Sequence, residues 1–129
     1  MFAGQRPTNL GVRGGRLAAC PSSPNCVSSQ SEDALHKIEP IAYTISCDEA
    51  IAKIKAIVES EPKTQIITVA GDYLYAEFAT LIMGFVDDVE FYFDDQAKLI
   101  HVRSASRLGK SDLGVNRKRI EKIRRLFNS

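Results

Sequence analysis

The chain has 129 residues, 44% of them hydrophobic and 26% charged, which suits one soluble globular domain that needs neither metal nor disulfide to fold. Its formal net charge of +1 excludes a whole-molecule field of the kind that gathers nucleic acid or an anionic membrane. No apolar run reaches the roughly 20 residues that span a bilayer, and MFAGQRPTNLGVRGGRLAAC has arginines but no apolar signal-peptide core, so the expectation is a cytoplasmic chain with no membrane span.

Residues 1–40 are rich in Gly, Pro, Ser and Asn and show no sustained period, so they read as an extended arm belonging to the same domain as the rest. Within the arm, Pro21 and Pro24 fix φ and remove donors, which makes CPSSPNC a stiff turn. The core, residues 41–129, opens with Ser46-Cys47-Asp48-Glu49, a capping box, followed by Ile51, Ile54 and Val58 at helical spacing and by Pro62; this predicts a helix over 47–60. The period then changes to two. Segments 64–70, 73–81, 86–93 and 98–103 each suit a strand, with connections too short for parallel crossovers. From about Val115 to Phe127, Ile120, Ile123 and Phe127 share one face of a basic amphipathic helix. The expected fold is α+β: a four-stranded antiparallel meander with two helices and a long N-terminal arm.

Alternation sorts the side chains. Tyr75, Glu77, Glu90, Tyr92, His101 and Arg103 fall on one sheet surface, which by default is the wet side of a one-sided sheet, or a polar binding surface if the arm folds over it. Asp87 and Asp88 are adjacent, so they point to opposite faces; they do not form an acid–base pair and are instead expected to hold Arg103 or Arg107 in structural ion pairs. Charge is polarised along the chain: five acids and no base from Asp87 to Asp95, then six bases against Glu121 alone from Asn116 to Ser129. Nucleic acid is not the expected partner of that basic helix, because its one aromatic residue, Phe127, lies on the apolar face.

The stretch SASRLGKSDLGVNRKR, 104–119, ends its first half like a phosphate loop, but Ser104 stands where the first glycine belongs and the preceding strand is antiparallel. It reads as a turn, with Gly109 and Gly114 supplying backbone freedom and Asp112 or Asn116 capping the last helix. A helix N-terminus flanked by Arg103, Arg107 and Arg117 is expected to attract an anion.

Taken together, CPSSPNCVSS, DYLYAEF, GFVDDVEFYFD and SASRLGKSDLGVNRKRIEKIR resemble the family called domain of unknown function 1499, over Cys20 to Phe127, and look closest to members from photosynthetic lineages. The resemblance carries no activity. It marks as typical of the family Cys20, Pro21, Pro24, Asn25, Cys26, Asp87 and Asp88, then Arg103, Ser104, Ser106, Arg107, Gly109, Ser111, Asp112, Asn116, Arg119 and Glu121. Position 110 is commonly aromatic in the family and is Lys110 here, which removes the temptation to see a phosphate-loop lysine.

Three readings compete for Cys20 and Cys26: a disulfide, unusual in a reducing cytosol; a metal site completed by His36 and His101, for which the spacing is wrong; and two small residues in a docked turn, the default. The resemblance adds weight to a redox-sensitive pair. The first functional expectation is a non-enzymatic binding or assembly module that takes a protein partner or small anionic ligand at a polar corner of Arg103, Ser104, Ser106, Arg107, Ser111, Asp112, Asn116 and Arg119, with no cofactor or metal. The alternative is a small hydrolase- or transferase-like enzyme on an anionic substrate, with His101 and Glu77 as its acid–base groups and the arginines as clamps.

Overall fold

The computed structural model describes residues 4–80, 85–109 and 113–129. Its elements run β1 (Cys26–Ser28), β2 (Ile41–Ala42), α1 (Cys47–Ser60), β3 (Thr64–Ala70), β4 (Tyr73–Ala79), β5 (Val86–Asp94), β6 (Leu99–Ser106) and α2 (Val115–Asn128). Helix α1 begins where the capping box sets it: the Ser46 hydroxyl accepts from the Glu49 amide at 3.1 Å, and the Glu49 carboxylate accepts from the Ser46 amide at 3.2 Å. Ala50, Ile54 and Val58 form its buried stripe. In α2 that role falls to Ile120, Ile123 and Phe127.

All strands join one antiparallel sheet in the order β1-β6-β5-β4-β3, with β2 also on β6. The meander β3 to β6 follows from the period-two segments and their short connections. The sheet has six strands rather than four, because β1 and β2 both lie against β6. Neither is legible as a strand locally. They are three and two residues long, and β1 is buried throughout, so it has no alternation to read. β6 also runs on to Ser106, three residues beyond the expected end, because Cys26, Val27 and Ser28 pair with Ala105, Ser104 and Arg103. The second meander strand ends at Ala79; its expected end, Leu81, and the Met83-Gly84 turn lie outside the described residues.

One face of the sheet presents Leu74, Ala76, Phe78, Val89, Phe91, Phe93, Ile100 and Val102 to the helices, and these with the two helical stripes make a single core. Among the described residues no helix is long and apolar enough to cross a membrane.

Candidate functional site

Because successive strand residues point to opposite faces, β6 divides the SASR segment in two. Arg103 and Arg107 fall on the face away from the helices, and Ser104 and Ser106 on the helix side. The single expected corner is therefore two networks, separated by the sheet and joined through its backbone.

On the outer face, Arg107 reaches Asp88 through Nε at 3.0 Å and Nη2 at 2.8 Å, and Nη2 also meets Glu77 at 2.5 Å. The Tyr75 hydroxyl donates to Asp88. The bidentate contact with Asp88 raises the Arg107 pKa further, so the guanidinium is permanently charged. Burial pushes Glu77 up, but bonds from Arg6, Tyr75 and Arg107 outweigh it and hold the carboxyl below its ordinary value. Further along the same face, Glu90 accepts from the Gly11 amide at 2.8 Å and the Tyr73 hydroxyl at 2.6 Å. Arg103 faces Glu90 at 3.8 Å and donates to the Ala19 carbonyl at 3.2 Å. Its ion-pair partner is thus Glu90, beyond the expected aspartates and next to Asp88 on the same face, since the register sets Glu90 directly opposite Arg103.

This surface is not the wet side of the sheet. Tyr75, Asp88, Glu90 and Arg103 are 3%, 1%, 0% and 5% exposed. The N-terminal arm lies over them, with Arg6 on Glu77, Gly11 on Glu90 and Ala19 on Arg103. Placing charge under a peptide strap is tolerable only because nearly every group is paired.

On the helix side, Asn116 and Arg119 of α2 reach down to the sheet. The Ser104 hydroxyl donates to Asn116 Oδ1 at 2.6 Å; Asn116 Nδ2 donates to Ser106 Oγ at 2.9 Å and to the Asn25 carbonyl at 3.3 Å. Arg119 donates to Asn116 Oδ1 at 2.8 Å and lies over the Phe78 ring at 4.8 Å. Its Nη2 is 2.8 Å from Asp87 Oδ2, an ionic contact set off the hydrogen-bond line. Asn25, from the CPSSPNC turn, is the keystone. Its side chain donates to the Ser106 and Gly109 carbonyls at 3.3 and 2.8 Å and accepts from Ser23, while its own carbonyl takes the Ser106 amide.

The α2 N-cap is Gly114, at φ 80, where glycine enters the left-handed region without strain and brings no capping side chain. Asn116 sits inside the helix, joined to the sheet rather than capping the helix end. Arg103, Arg107 and Arg117 do not converge on that end either. The first two lie across the sheet, and Arg117 donates to the Lys37 and Leu35 carbonyls at 2.7 and 3.2 Å. Ser111 and Asp112 lie outside the described residues.

Cys20 and Cys26 are joined by a disulfide, S–S 2.06 Å, in place of the two unlinked small residues expected by default. The bond closes the CPSSPN loop and fastens the arm to β1. Beside it, a groove of about 710 Å³ runs between residues 13–20 and residues 28–33, with Arg13 and Arg16 on one wall, Glu32 and Asp33 on the other, and Cys20 and Gln30 along it. Gln30 bridges the walls, accepting from the Leu17 amide and donating to the Gly15 carbonyl.

His101 stacks on Tyr92 and shares a 3.1 Å bond between Nδ1 and the Ser29 hydroxyl. Burial lowers its pKa, with Arg16 and Lys37 adding to the effect and Asp94 opposing it, so the ring is neutral at pH 7. Ser29 is itself buried and accepts from the Val102 amide at 2.8 Å, so its hydroxyl belongs to the strand framework. Glu77 pairs with Asp88 and His101 with Tyr92, at opposite ends of the outer face; the structure does not bring the two together. His36 is bound between Asp33 and the Ser23 carbonyl, and His101 to Ser29, so the two rings have no partner in common.

A family model described as a protein of unknown function, DUF1499, matches residues 16–127. The chain belongs to the DUF1499 family. The match runs from Arg16 in the groove wall through the disulfide, both networks and α2 to Phe127, so the DUF1499 region contains every tie described above except those of Arg6, Gly11 and Gly15. No curated protein matches the chain. Several residues of the site escaped the sequence reading. Arg6, Gly11 and Gln30 lie in a segment without period, and Ser29 acts through strand pairing that only the fold creates; the role of Asn25, a position the family resemblance marks, is likewise visible only in the fold. By alternation Tyr73 shares the row of Tyr75 and Glu77, but nothing in the sequence marks Glu90 as its partner.

Proposed function

We propose that this protein is a non-enzymatic binding or assembly module that presents a fixed surface to a protein partner or a small anionic ligand. The observation carrying the reading is the engagement of Arg107 by Asp88, Glu77 and Tyr75 at once, beneath the arm. Such a site is saturated and rigid, and a group already committed to three partners has no proton-transfer role to fill. In this reading Arg103, Ser104, Ser106, Arg107, Asn116 and Arg119 hold the corner, and the ligand meets the adjoining groove, where Arg13 and Arg16 are exposed. A volume of about 710 Å³ suits a small molecule or a few residues of a peptide. The alternative, acid–base catalysis by His101 and Glu77, has weaker support, because their separation along the sheet leaves each without the other.

The test is an NMR titration of the folded, isotope-labelled chain with inorganic phosphate and with a short acidic peptide, each repeated on Arg13→Ala/Arg16→Ala. Saturable shifts confined to residues 13–20 and 28–33, lost in the variant, support the module. A metabolite that copurifies from cell extract, is chemically converted by the protein and survives conversion in His101→Ala would establish the enzyme instead.

A further inference from the structure

We propose that the Cys20–Cys26 disulfide is a thiol-exchange site, attacked at Cys20 by a dithiol reductant that enters the groove, and that its reduction releases the N-terminal arm from the outer face of the sheet. This goes beyond the binding reading and does not depend on it, since exchange at Cys20 stands whether or not the groove holds an anion.

The two sulfurs differ in access. Cys26 sits in β1, paired with Ala105, and is 1% exposed. Cys20 is half-buried and lines the groove, beyond the end of any strand. An incoming thiolate meets Cys20 alone, and Arg13 and Arg16 on one wall offset the negative charge of Glu32 and Asp33 on the other. The thiolate bonds to Cys20 Sγ, the Cys20–Cys26 bond breaks, and Cys26 leaves as a thiolate that takes up a proton. The reductant's second thiolate then attacks the mixed disulfide and frees Cys20 as a thiol. Two electrons and two protons pass to the protein, and the dithiol ends as a disulfide.

What the bond controls is the arm. Before Cys20, Leu17 is the one buried apolar side chain among the described residues. The remaining ties are single polar contacts: Arg6 on Glu77, Gly11 on Glu90, Arg103 on Ala19, and the links of Gly15, Arg16 and Leu17 to Gln30. Beneath the arm, Glu90 Oε1 and Arg103 Nε are buried without a hydrogen-bond partner among the described residues. Closure leaves both desolvated, so opening to water favours them, and the covalent tether opposes that opening. Once it is cut, the balance at residues 4–19 shifts toward the open arm while the core, whose stripe residues lie elsewhere, is kept.

The experiment uses the full chain in a Cys47→Ser background, so that only Cys20 and Cys26 react. Dithiothreitol is the reductant, with limiting iodoacetamide and peptide mapping to order the thiols, and hydrogen exchange is followed on the oxidised and reduced forms. The expected results are Cys20 alkylated at least about ten-fold faster than Cys26, and exchange at residues 9–19 accelerated about ten-fold or more with peptides of α1 and β4 unchanged. As a second measure, Cys26→Ser should react with an aromatic disulfide at Cys20, and Cys20→Ser should react far more slowly at Cys26. Three results overturn the proposal: Cys26 reacting first or equally, arm exchange unchanged on reduction, or exchange rising throughout the chain, which marks a structural staple.

Discussion

At the scale of single residues, stability is concentrated in polar side chains that join elements distant in sequence. Asn25 ties the disulfide loop to the end of β6 and, through its carbonyl, to α2. Asn25→Ala takes the side-chain donor from the part-buried Ser106 and Gly109 carbonyls, so a loss of about 1 kcal/mol is expected from denaturant unfolding. Arg103→Ala strands Glu90, which is fully buried, and should cost about 3 kcal/mol, whereas Arg103→Ala combined with Glu90→Gln should recover part of that loss. If the double variant is no more stable than the single, the two side chains are not a pair. Alternation alone told Asp87 and Asp88 apart. It did not separate Ser104 and Ser106 from Arg103 and Arg107, because the stretch after Arg103 was read as a turn and only the pairing with β1 keeps it a strand.

Among the elements, those whose signal is local were legible in the sequence. Helix α1 begins at its capping box and ends ahead of Pro62, and strands β3 to β6 announce themselves by alternation. β1 and β2 exist only because β6 offers an edge to pair with, and five residues in all carry too little pattern to show it. The arm over the outer face was equally hidden: alternation identified the polar row, and nothing in a Gly- and Pro-rich segment said that it would be covered. The disulfide is the arm's strongest link to β1. Its loss in Cys20→Ala/Cys26→Ala should speed exchange at residues 9–19 about ten-fold or more while global unfolding stays within about 0.5 kcal/mol of the oxidised parent. A fall in global stability of about 2 kcal/mol would show instead that the arm and the core unfold as one unit.

For the whole molecule, the ionisable groups with resolved shifts in the outer layer point to weakness in acid. Glu77 has a folded pKa below its ordinary 4.5, so its contribution is present above that value and is lost as pH falls through the folded one. His101 is also held below its ordinary 6.5; unfolding therefore takes up a proton, and its contribution, complete above 6.5, falls away as pH drops from there toward the folded value. Stability measured from pH 7.5 to 5 should decline, and His101→Gln should flatten that decline; an identical slope in the variant would show that His101 does not titrate in this way. The helices and the arm approach the sheet from opposite sides, each covering its own arginine–aspartate pair: Arg119 with Asp87 on the helix side, Arg107 with Asp88 on the arm side. That division is tested most directly by double-mutant cycles on three pairs: Arg107 with Asp88, Arg119 with Asp87, and Arg107 with Asp87. Coupling of about 1–3 kcal/mol within each of the first two pairs, and under about 0.5 kcal/mol for the third, is the expected result. Comparable coupling between Arg107 and Asp87 would contradict two separate networks and leave a single shared corner.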